Sequence, residues 1–313
     1  MINYLTYEQI DKKKWDDCVE ASFNGMVYAK SWYLDIVAEK WEGLVEEDYE
    51  RVFPLVCGKK MGIHYLYQPA FTQQLGVFSK KNLSEQVVIE FLKTIPDRFR
   101  FAEINLNTFN NLTTLKKGLQ PWKNFELDLI NSYEKLKKSY STNLKRNLKK
   151  AAEYRMQLIK NTKPEEIIRI FRENKGREML HLKDDDYMKL SRLIYTGIYR
   201  GVITTYGVYT PTNDLCAGAV FLKSKKKVIF LFSGLTATGK EYNAMAFLID
   251  SFIQEHVRTH LTLDFEGSNR PGLARFYQSF GAQEISYPHL IINKLPLLIK
   301  AGVKVVRMLR ELR

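Results

Sequence analysis

Apolar positions along the first half of the chain follow two spacings, one helical and one with the period of a strand. Helical spacing predicts three helices, over 7–21, from Ser31 onward and from Ser84 to just before Pro96. Short apolar runs between polar turns predict strands over 43–47, 52–57, 63–67, 101–106 and 125–129.

The second half repeats this plan after a basic segment. Helical spacing predicts helices over 165–175, 185–199, 241–258 and 272–280. Alternating or continuous apolar runs predict strands over 202–209, 216–222, 228–233, 261–265 and 289–292. Each half thus predicts helices, an antiparallel meander, a helix and a further strand, with a boundary near residues 130–140.

Composition limits the class of protein. The 313 residues are 45% hydrophobic and 27% charged, which suits one large or two ordinary domains and excludes general disorder. No apolar run approaches the ~20 residues of a membrane-spanning helix, and the N-terminus lacks the pattern of a secretory signal. Three well-separated cysteines exclude a disulfide scaffold or a cysteine zinc cluster. We therefore expect a soluble cytoplasmic protein.

The formal net charge of +13 is concentrated in two stretches. Residues 132–163 hold ten Lys or Arg against two Glu, and residues 294–313 hold six against one. The remaining chain is neutral overall. A basic excess confined in this way predicts two local surfaces for anionic partners.

A strand that runs into a polar turn and a helix carries the sharpest local chemistry. Asp264 and Glu266 are two residues apart, so on a strand both would leave on one side. Pro271 suits the first turn of the following helix, whose amides could hold an oxyanion, and Tyr277 lies on that helix. An ordinary strand, turn and helix with Tyr277 in the core explains the same residues.

Several motifs, taken in order, resemble one family. The stretch from Asn269 to Gly281-Ala282 resembles the closing strand and helix of the GNAT acyltransferase fold, and Asp264-Phe265-x-Gly267 resembles its Fem branch. The same branch is matched by Lys30-Ser31-Trp32-Tyr33, by Tyr67-Gln68-Pro69-Ala70-Phe71 with Gln73-Gln74-Leu75-Gly76, and by Ser141-x-Asn143-x-x-Arg146-Asn147-x-x-Lys149-Lys150-Ala151. The resemblance touches most of residues 25–293.

The resemblance implies a fold and a reaction. The fold is α/β (α+β), with two tandem GNAT-like domains of mixed, mainly antiparallel sheets flanked by helices, here 1–135 and 136–293. Since no long coiled-coil arm fits between 163 and 200, the chain resembles the smaller, armless members. The implied reaction is aminoacyl transfer from aminoacyl-tRNA to an amine of a UDP- or lipid-linked peptidoglycan precursor, without metal or other cofactor.

The resemblance also implies roles for single residues. Asp264 or Glu266 would orient and deprotonate the amine, while Tyr277 would hydrogen-bond or protonate the leaving oxygen. The candidates for substrate binding are Lys30, Trp32, Lys183, Tyr187, Ser233 and Asn269. Three aspartates between Lys183 and Tyr187 depart from the family's diphosphate site, and they can equally cap the helix over 185–199.

The acyl-CoA pyrophosphate loop of GNAT enzymes is the main departure. It should precede the helix over 241–258, but Ser233 to Lys240 has its glycines at the wrong spacing. This weakens, without removing, the alternative of an acyl-CoA-dependent N-acyltransferase acting on a polysaccharide or lipid precursor. A catalytically silent protein that binds RNA or a membrane surface is the rival from another class.

The two basic stretches predict specific partners. Over 139–155, helical spacing places Lys145, Arg146, Lys149 and Lys150 on one face, which suits the phosphate backbone of a donor RNA. A solvated face of a linking helix explains the same pattern. Residues 294–313 predict a short basic amphipathic helix that either docks on the protein or lies on an anionic membrane at its inner face.

Overall fold

The computed structural model describes residues 1–114, 118–179, 182–267 and 269–296. The chain forms two compact units, divided at Pro121/Trp122 and again at Ser286/Tyr287. Unit 1 contains residues 1–121 and the described residues from Tyr287 onward, and unit 2 contains residues 122–286. Residues 122–135, which the sequence assigns to the first half, therefore belong to unit 2. Beyond residue 296, the predicted helix over 294–313 lies outside the described residues.

Unit 1 is a mixed sheet with helices. Its helices are α1 (Lys12–Ala21), α2 (Ser31–Val37) and α3 (Glu85–Thr94). Its strands are β1 (Ile2–Leu5), β2 (Trp41–Glu46), β3 (Arg51–Lys60), β4 (Ile63–Tyr67), β5 (Phe78–Ser79), β6 (Phe99–Asn105) and the second part of a strand, numbered β13 below, that spans Gln283–Asn293. The hydrogen-bonded order is β1-β2-β3-β4-β6-β13, and within the described residues only β4 and β6 of this order are parallel.

Helix starts in unit 1 follow the capping residues. Asp11 accepts hydrogen bonds from the amides of Lys13 and Lys14 at 3.0 and 3.1 Å, so α1 begins at Lys12. The helix predicted over 7–21 is therefore a short 3-10 turn, Tyr7–Gln9, followed by α1. Ser84 caps α3 as predicted, accepting from the amide of Val87.

Unit 2 has the same kind of architecture. Its helices are α4 (Tyr133–Ser139), α5 (Thr142–Glu153), α6 (Pro164–Glu173), α7 (Asp184–Tyr199), α8 (Ala237–Glu241), α9 (Ala244–His256) and α10 (Pro271–Gln278). Its strands are β7 (Leu119–Asp128, from Trp122 on), β8 (Gln157–Lys160), β9 (Ile203–Tyr209), β10 (Leu215–Ser224), β11 (Lys227–Leu235), β12 (Thr262–Asp264) and the first part of β13 (Gln283–Asn293).

The sheet of unit 2 has the order β7-β12-β11-β10-β9-β8. Among the strand pairs of this order that the structure describes, only β11 and β12 are parallel, while the other neighbours are antiparallel. The prediction of mixed, mainly antiparallel sheets flanked by helices is confirmed. No helix in the described ranges is long and apolar enough to cross a bilayer.

One long helix of the sequence-based prediction is wrong. The segment predicted as a helix over 241–258 begins with the last residue of α8, and α9 starts only at Ala244. Asn243 separates the two helices in the left-handed conformation, with φ of 58°. Asparagine tolerates this conformation better than most residues, so the chain turns here at little cost.

Candidate functional site

A cavity opens in unit 2 where two parallel strands stop pairing. β11 and β12 pair only from Lys227 to Ile229 and from Thr262 to Asp264, and β11 then continues beside β10 alone. The cavity has a volume of about 370 Å³. Its polar lining consists of Asn147, Ser233, Lys240, Asn243 and Tyr277, while Phe230, Leu235, Met245, Leu273 and Phe276 contribute apolar surface.

A bulge in β11 determines which of its side chains enter the cavity. Val220 of β10 lies opposite Phe232, but Phe221 lies opposite Phe230, so Leu231 is an extra residue. The bulge shifts the alternation of side chains by one position. Ser233 therefore joins Phe230 on the cavity face, and the predicted substrate-binding residue Ser233 lies in the cavity.

Tyr277 contributes its phenol to the same cavity from α10. Its ring stacks on Phe265, with centroids 4.7 Å apart, and the residue is only 7% exposed. Within the described residues, no group hydrogen-bonds its hydroxyl. Burial, and secondarily the negative charge of Glu266, raise the pKa of Tyr277. The phenol is therefore protonated at neutral pH and can donate a hydrogen bond.

The turn between β12 and α10 is fixed against β7. Gly267 has φ of +42°, and a Cβ there would lie 2.2 Å from the carbonyl oxygen of Lys123. The side chain of Asn269 accepts a hydrogen bond from the amide of Lys123 at 3.2 Å. These contacts explain the glycine of the Asp264-Phe265-x-Gly267 motif by backbone packing, and Asn269 serves to hold the turn.

Asp264 lies in a buried polar cluster, which we call the β12 cluster: Asn124, Glu126, Lys227 and Asp264. One carboxylate oxygen of Asp264 accepts from Asn124 at 2.9 Å, and the other lies 3.4 Å from the Lys227 ammonium. Lys227 also donates to Glu126, which faces Asp264 directly across the β7–β12 pair. Asp264 is 1% exposed, so this cluster occupies both of its oxygens.

The charged groups of the β12 cluster shift one another's pKa values. Burial, together with the charge of Asp264, raises the pKa of Glu126, while Lys227 opposes this shift. Burial lowers the pKa of Lys227, but the charges of Asp264 and Glu126 outweigh it, and the net pKa is raised. The ammonium is thus charged, and it compensates two carboxylates that would otherwise repel each other.

Asp264 and Tyr277 lie on opposite faces of the sheet. Leu263 and Phe265 belong to the core that contains Tyr277, and side chains alternate along a strand, so Asp264 points away from that core. Glu266 follows the end of β12 with φ of 52°, which breaks the alternation. Its charge, unlike that of Asp264, acts on Tyr277. The charge of Glu266 therefore acts on the environment of Tyr277, whereas Asp264 lies on the other face of the sheet.

The predicted RNA-binding residues form a basic face on α5. The side chains of Lys145, Arg146, Lys149 and Lys150 are all exposed, whereas Leu144 and Ala151 pack into the core. None of the four forms an ion pair within the described residues. Arg146 donates to Asn143 at 2.7 Å, and Lys145 donates to a backbone carbonyl of α4. Their charges are thus available to an anionic partner.

The remaining predicted substrate-binding residues lie elsewhere. In unit 1, the Lys30 ammonium contacts Glu20 at 2.7 Å and the carbonyl of Asp16 at 2.9 Å, and Trp32 is half-buried beside Tyr33. In these positions Lys30 holds α1 near the start of α2. None of these residues belongs to the cavity of unit 2.

Lys183 and Tyr187 lie at the start of α7 in unit 2. Lys183 is exposed, and its amide donates to Asp186 at 2.9 Å, which caps the helix. Tyr187 is buried under the Arg172 guanidinium, 4.6 Å from the ring centroid. Tyr187 lines a surface groove of about 460 Å³ between α6 and α7, together with Arg172.

Sequence reasoning missed the residues that only the folded sheet brings together. Asn147 and Lys240 join the cavity from α5 and α8, and Asn124 and Lys227 join Asp264. The one available signal was charge inside strands: a glutamate within the strand 125–129 predicts a solvent-facing position unless it has a buried partner. Among the described residues, no group of three or more His, Cys, Asp or Glu could hold a metal ion.

Comparison with known proteins supports the fold. No protein-family model and no curated protein matches the sequence. FemX is similar over 92% of this chain and 97% of its own, with a TM-score of 0.63 and 11% identity. L-PGS from Bacillus licheniformis is similar over 95% of this chain and 96% of its own, with a TM-score of 0.58 and 10% identity.

A third structure, a conserved protein of unknown function from Bacteroides thetaiotaomicron, has a TM-score of 0.54 and 10% identity, and covers 93% of this chain and 100% of its own. The chain has the fold of FemX and L-PGS. The predicted resemblance to Fem proteins is thereby confirmed at the level of fold. Because each match spans nearly the whole of both chains, the likeness includes both units.

Proposed function

We propose that this protein is an acyltransferase that forms an amide by moving an aminoacyl group from aminoacyl-tRNA to an amine of a peptidoglycan-precursor peptide. The fold shared with FemX and L-PGS supports acyl transfer. The observation that carries the proposal is the arrangement of α5. This helix displays Lys145, Arg146, Lys149 and Lys150 to solvent and also contributes Asn147 to the cavity.

The basic face and the cavity suit a polyanion with a reactive end. Four cations without ion pairs among the described residues would neutralise successive phosphates and release their counterions. Because Asn147 lies on the same helix, a strand held along α5 would reach the cavity within one or two helical turns. An aminoacyl ester at the end of that strand would then lie beside Ser233 and Tyr277.

The proposed reaction balances without a cofactor. The acceptor amine attacks the ester carbonyl carbon, a carbon–nitrogen bond forms, and the carbon–oxygen bond to the ribose breaks. The amine loses a proton, and the leaving ribose oxygen gains one. The protein contributes positioning and stabilisation of the oxyanion, which are the main sources of rate enhancement in acyl transfer of this kind.

Tyr277 supplies the proton or hydrogen bond to oxygen in this proposal. Burial raises the pKa of the phenol further above neutral, which favours hydrogen-bond donation, and its hydroxyl has no partner within the described residues. Glu266, whose charge acts on Tyr277, is the carboxylate that we assign to the amine. Asp264 remains a sequence-based candidate for this role, but it is buried on the opposite face of the sheet.

A transfer assay with one tyrosine variant tests the proposal. Bulk tRNA charged with labelled amino acids is incubated with a UDP-linked muramyl peptide, and label in the peptide is measured. We expect the wild-type protein to transfer label to the peptide. Tyr277→Phe should lower kcat about 100-fold or more with little change in folding. Tyr206→Phe, which changes another buried phenol of unit 2, is the matched control and should retain activity.

Transfer from acetyl-CoA instead of aminoacyl-tRNA would support the acyl-CoA alternative. The segment before α9 argues against that alternative. The amides of Thr236, Gly239 and Lys240 already bond to acceptors within the chain, and a Cβ at Gly239 would lie 2.0 Å from the carbonyl of Cys216. These amides are therefore committed where a pyrophosphate would need them. No transfer from either donor would favour a silent binding protein.

A further inference from the structure

The last three turns of α7 expose an unusual amount of apolar surface. Met188 is 64% exposed, Tyr195 47% and Tyr199 92%, and their spacing of seven and four places them on one face. Ile198 is exposed on the neighbouring side. No other helix in the described ranges exposes more than one large hydrophobic residue.

Cations border this apolar face. Arg192 lies on α7 between Met188 and Tyr195. The amide of Lys223 donates to the carbonyl of Val202 at 2.7 Å, which places the β10–β11 end of the sheet beside the end of α7. Lys223 and Lys226 are exposed there and, like Arg192, form no ion pair within the described residues. We call Met188, Arg192, Tyr195, Ile198, Tyr199, Lys223 and Lys226 the α7 patch.

Acidic residues are concentrated at the other end of the helix. Asp184, Asp185 and Asp186 form its first turn, about 20 Å from Tyr199 along the axis. Within the α7 patch, the hydroxyl of Tyr195 donates to a carboxylate oxygen of Glu165 at 2.7 Å, so one acidic residue borders the patch. Apart from Glu165, the C-terminal end of α7 is apolar, aromatic and basic, and the first turn of the helix is acidic.

We infer that the α7 patch docks on the surface of an anionic phospholipid bilayer. Tyrosine rings suit the interface between headgroups and acyl chains, and an exposed Ile or Met side chain can enter its apolar part. Lys and Arg around such a face are attracted to anionic headgroups. The acidic first turn of α7 would face away from the lipid, so the charge distribution fixes which end of the helix contacts it.

Vesicle flotation with the full chain tests this inference, and it requires no catalytic substrate. The probes are vesicles of phosphatidylcholine alone and of phosphatidylcholine mixed with phosphatidylglycerol. We expect binding to the mixed vesicles only. Tyr199→Ser combined with Ile198→Ser should weaken this binding about tenfold or more, and Lys223→Gln combined with Lys226→Gln should weaken it about as much.

Two controls separate this patch from other surfaces. Met61→Ser removes a residue that is 94% exposed beside Lys59 and Lys60 on a turn of unit 1, and it should not change binding. The double variant Lys149→Gln with Lys150→Gln removes charge from the basic face of α5, and it too should not change binding to the vesicles. If the Tyr199→Ser and Ile198→Ser variant binds vesicles as well as wild type, the inference is overturned. It is also overturned if this variant loses self-association, measured by sedimentation velocity, but keeps its lipid binding.

Discussion

Replacing Lys227 with methionine tests the account of the β12 cluster. The substitution keeps an unbranched side chain of similar length but removes the ammonium that lies between Glu126 and Asp264. Two carboxylates then face each other across the β7–β12 pair, and Asp264 keeps only the neutral donors Asn124 and the amide of Glu266. A buried charge that has lost its partner costs about 3 to 5 kcal/mol of stability.

Partial exposure places the expected loss at the lower end of that range. The side chain of Glu126 is 18% exposed, so water can solvate it or it can take up a proton. We expect Lys227→Met to destabilise the β12 region by about 3 kcal/mol near neutral pH. Local hydrogen exchange should therefore become about 100-fold faster in peptides from β7 and β12.

The loss should depend on pH in a defined direction. Burial and the charge of Asp264 already raise the pKa of Glu126, and the shift grows when Lys227 is absent. Between the unfolded and the folded pKa of Glu126, the folded state holds a proton that the unfolded state lacks. Stability then falls as pH rises through this window. The destabilisation should thus shrink at about pH 5 and be largest at about pH 7.5.

Hydrogen exchange followed by mass spectrometry measures this effect in unit 2 without assuming that the whole chain unfolds in one step. Lys226→Met, an exposed neighbour without an ion pair among the described residues, is the matched control. Adding Glu126→Gln to Lys227→Met should restore most of the protection. Exchange in Lys227→Met that equals wild type, or that is equally fast at both pH values, would refute the reasoning.

Three further predictions concern unit 2. Gly267→Ala should destabilise the turn by about 3 kcal/mol, because of its positive φ and the nearby Lys123 carbonyl, and urea unfolding should show the loss. Asp250→Ala should leave the buried Tyr140 hydroxyl without its acceptor, cost about 2 kcal/mol and speed hydrogen exchange in α4. Lys149→Gln should lower the slope of log tRNA affinity against log salt by about 1, by filter binding.

Local sequence signals predicted most elements of both units. Asp and Ser caps, alternating strands and the proline at the start of α10 act over a few residues, so the chain reveals them directly. The interruption at Asn243 was missed because apolar spacing continues through it. The bulge at Leu231 was missed for a similar reason, since a continuous apolar run does not show which residue is extra.

The candidate site was harder to predict because it depends on which face of the sheet each residue occupies. The sequence placed Asp264 and Glu266 on one side, as strand spacing requires, but β12 ends at Asp264 and the left-handed Glu266 leaves that alternation. The cavity also needs Asn147 and Lys240, which lie 130 and 37 residues before Tyr277 in the chain. Local sequence patterns do not reveal contacts between residues that are so far apart in the chain.

The position of Asp264 argues against the catalytic role that the Asp264-Phe265-x-Gly267 motif suggested for it. A carboxylate that deprotonates an amine must reach it. Both oxygens of Asp264 instead accept hydrogen bonds from Asn124, Lys227 and the amide of Glu266. Those same bonds fix the end of β12, after which Glu266 takes the left-handed conformation and its charge acts on Tyr277. If transfer requires Glu266 while Asp264→Asn loses activity only in proportion to folded protein, then Asp264 has a structural role in holding the turn. Its place in the motif then follows from the geometry of the turn.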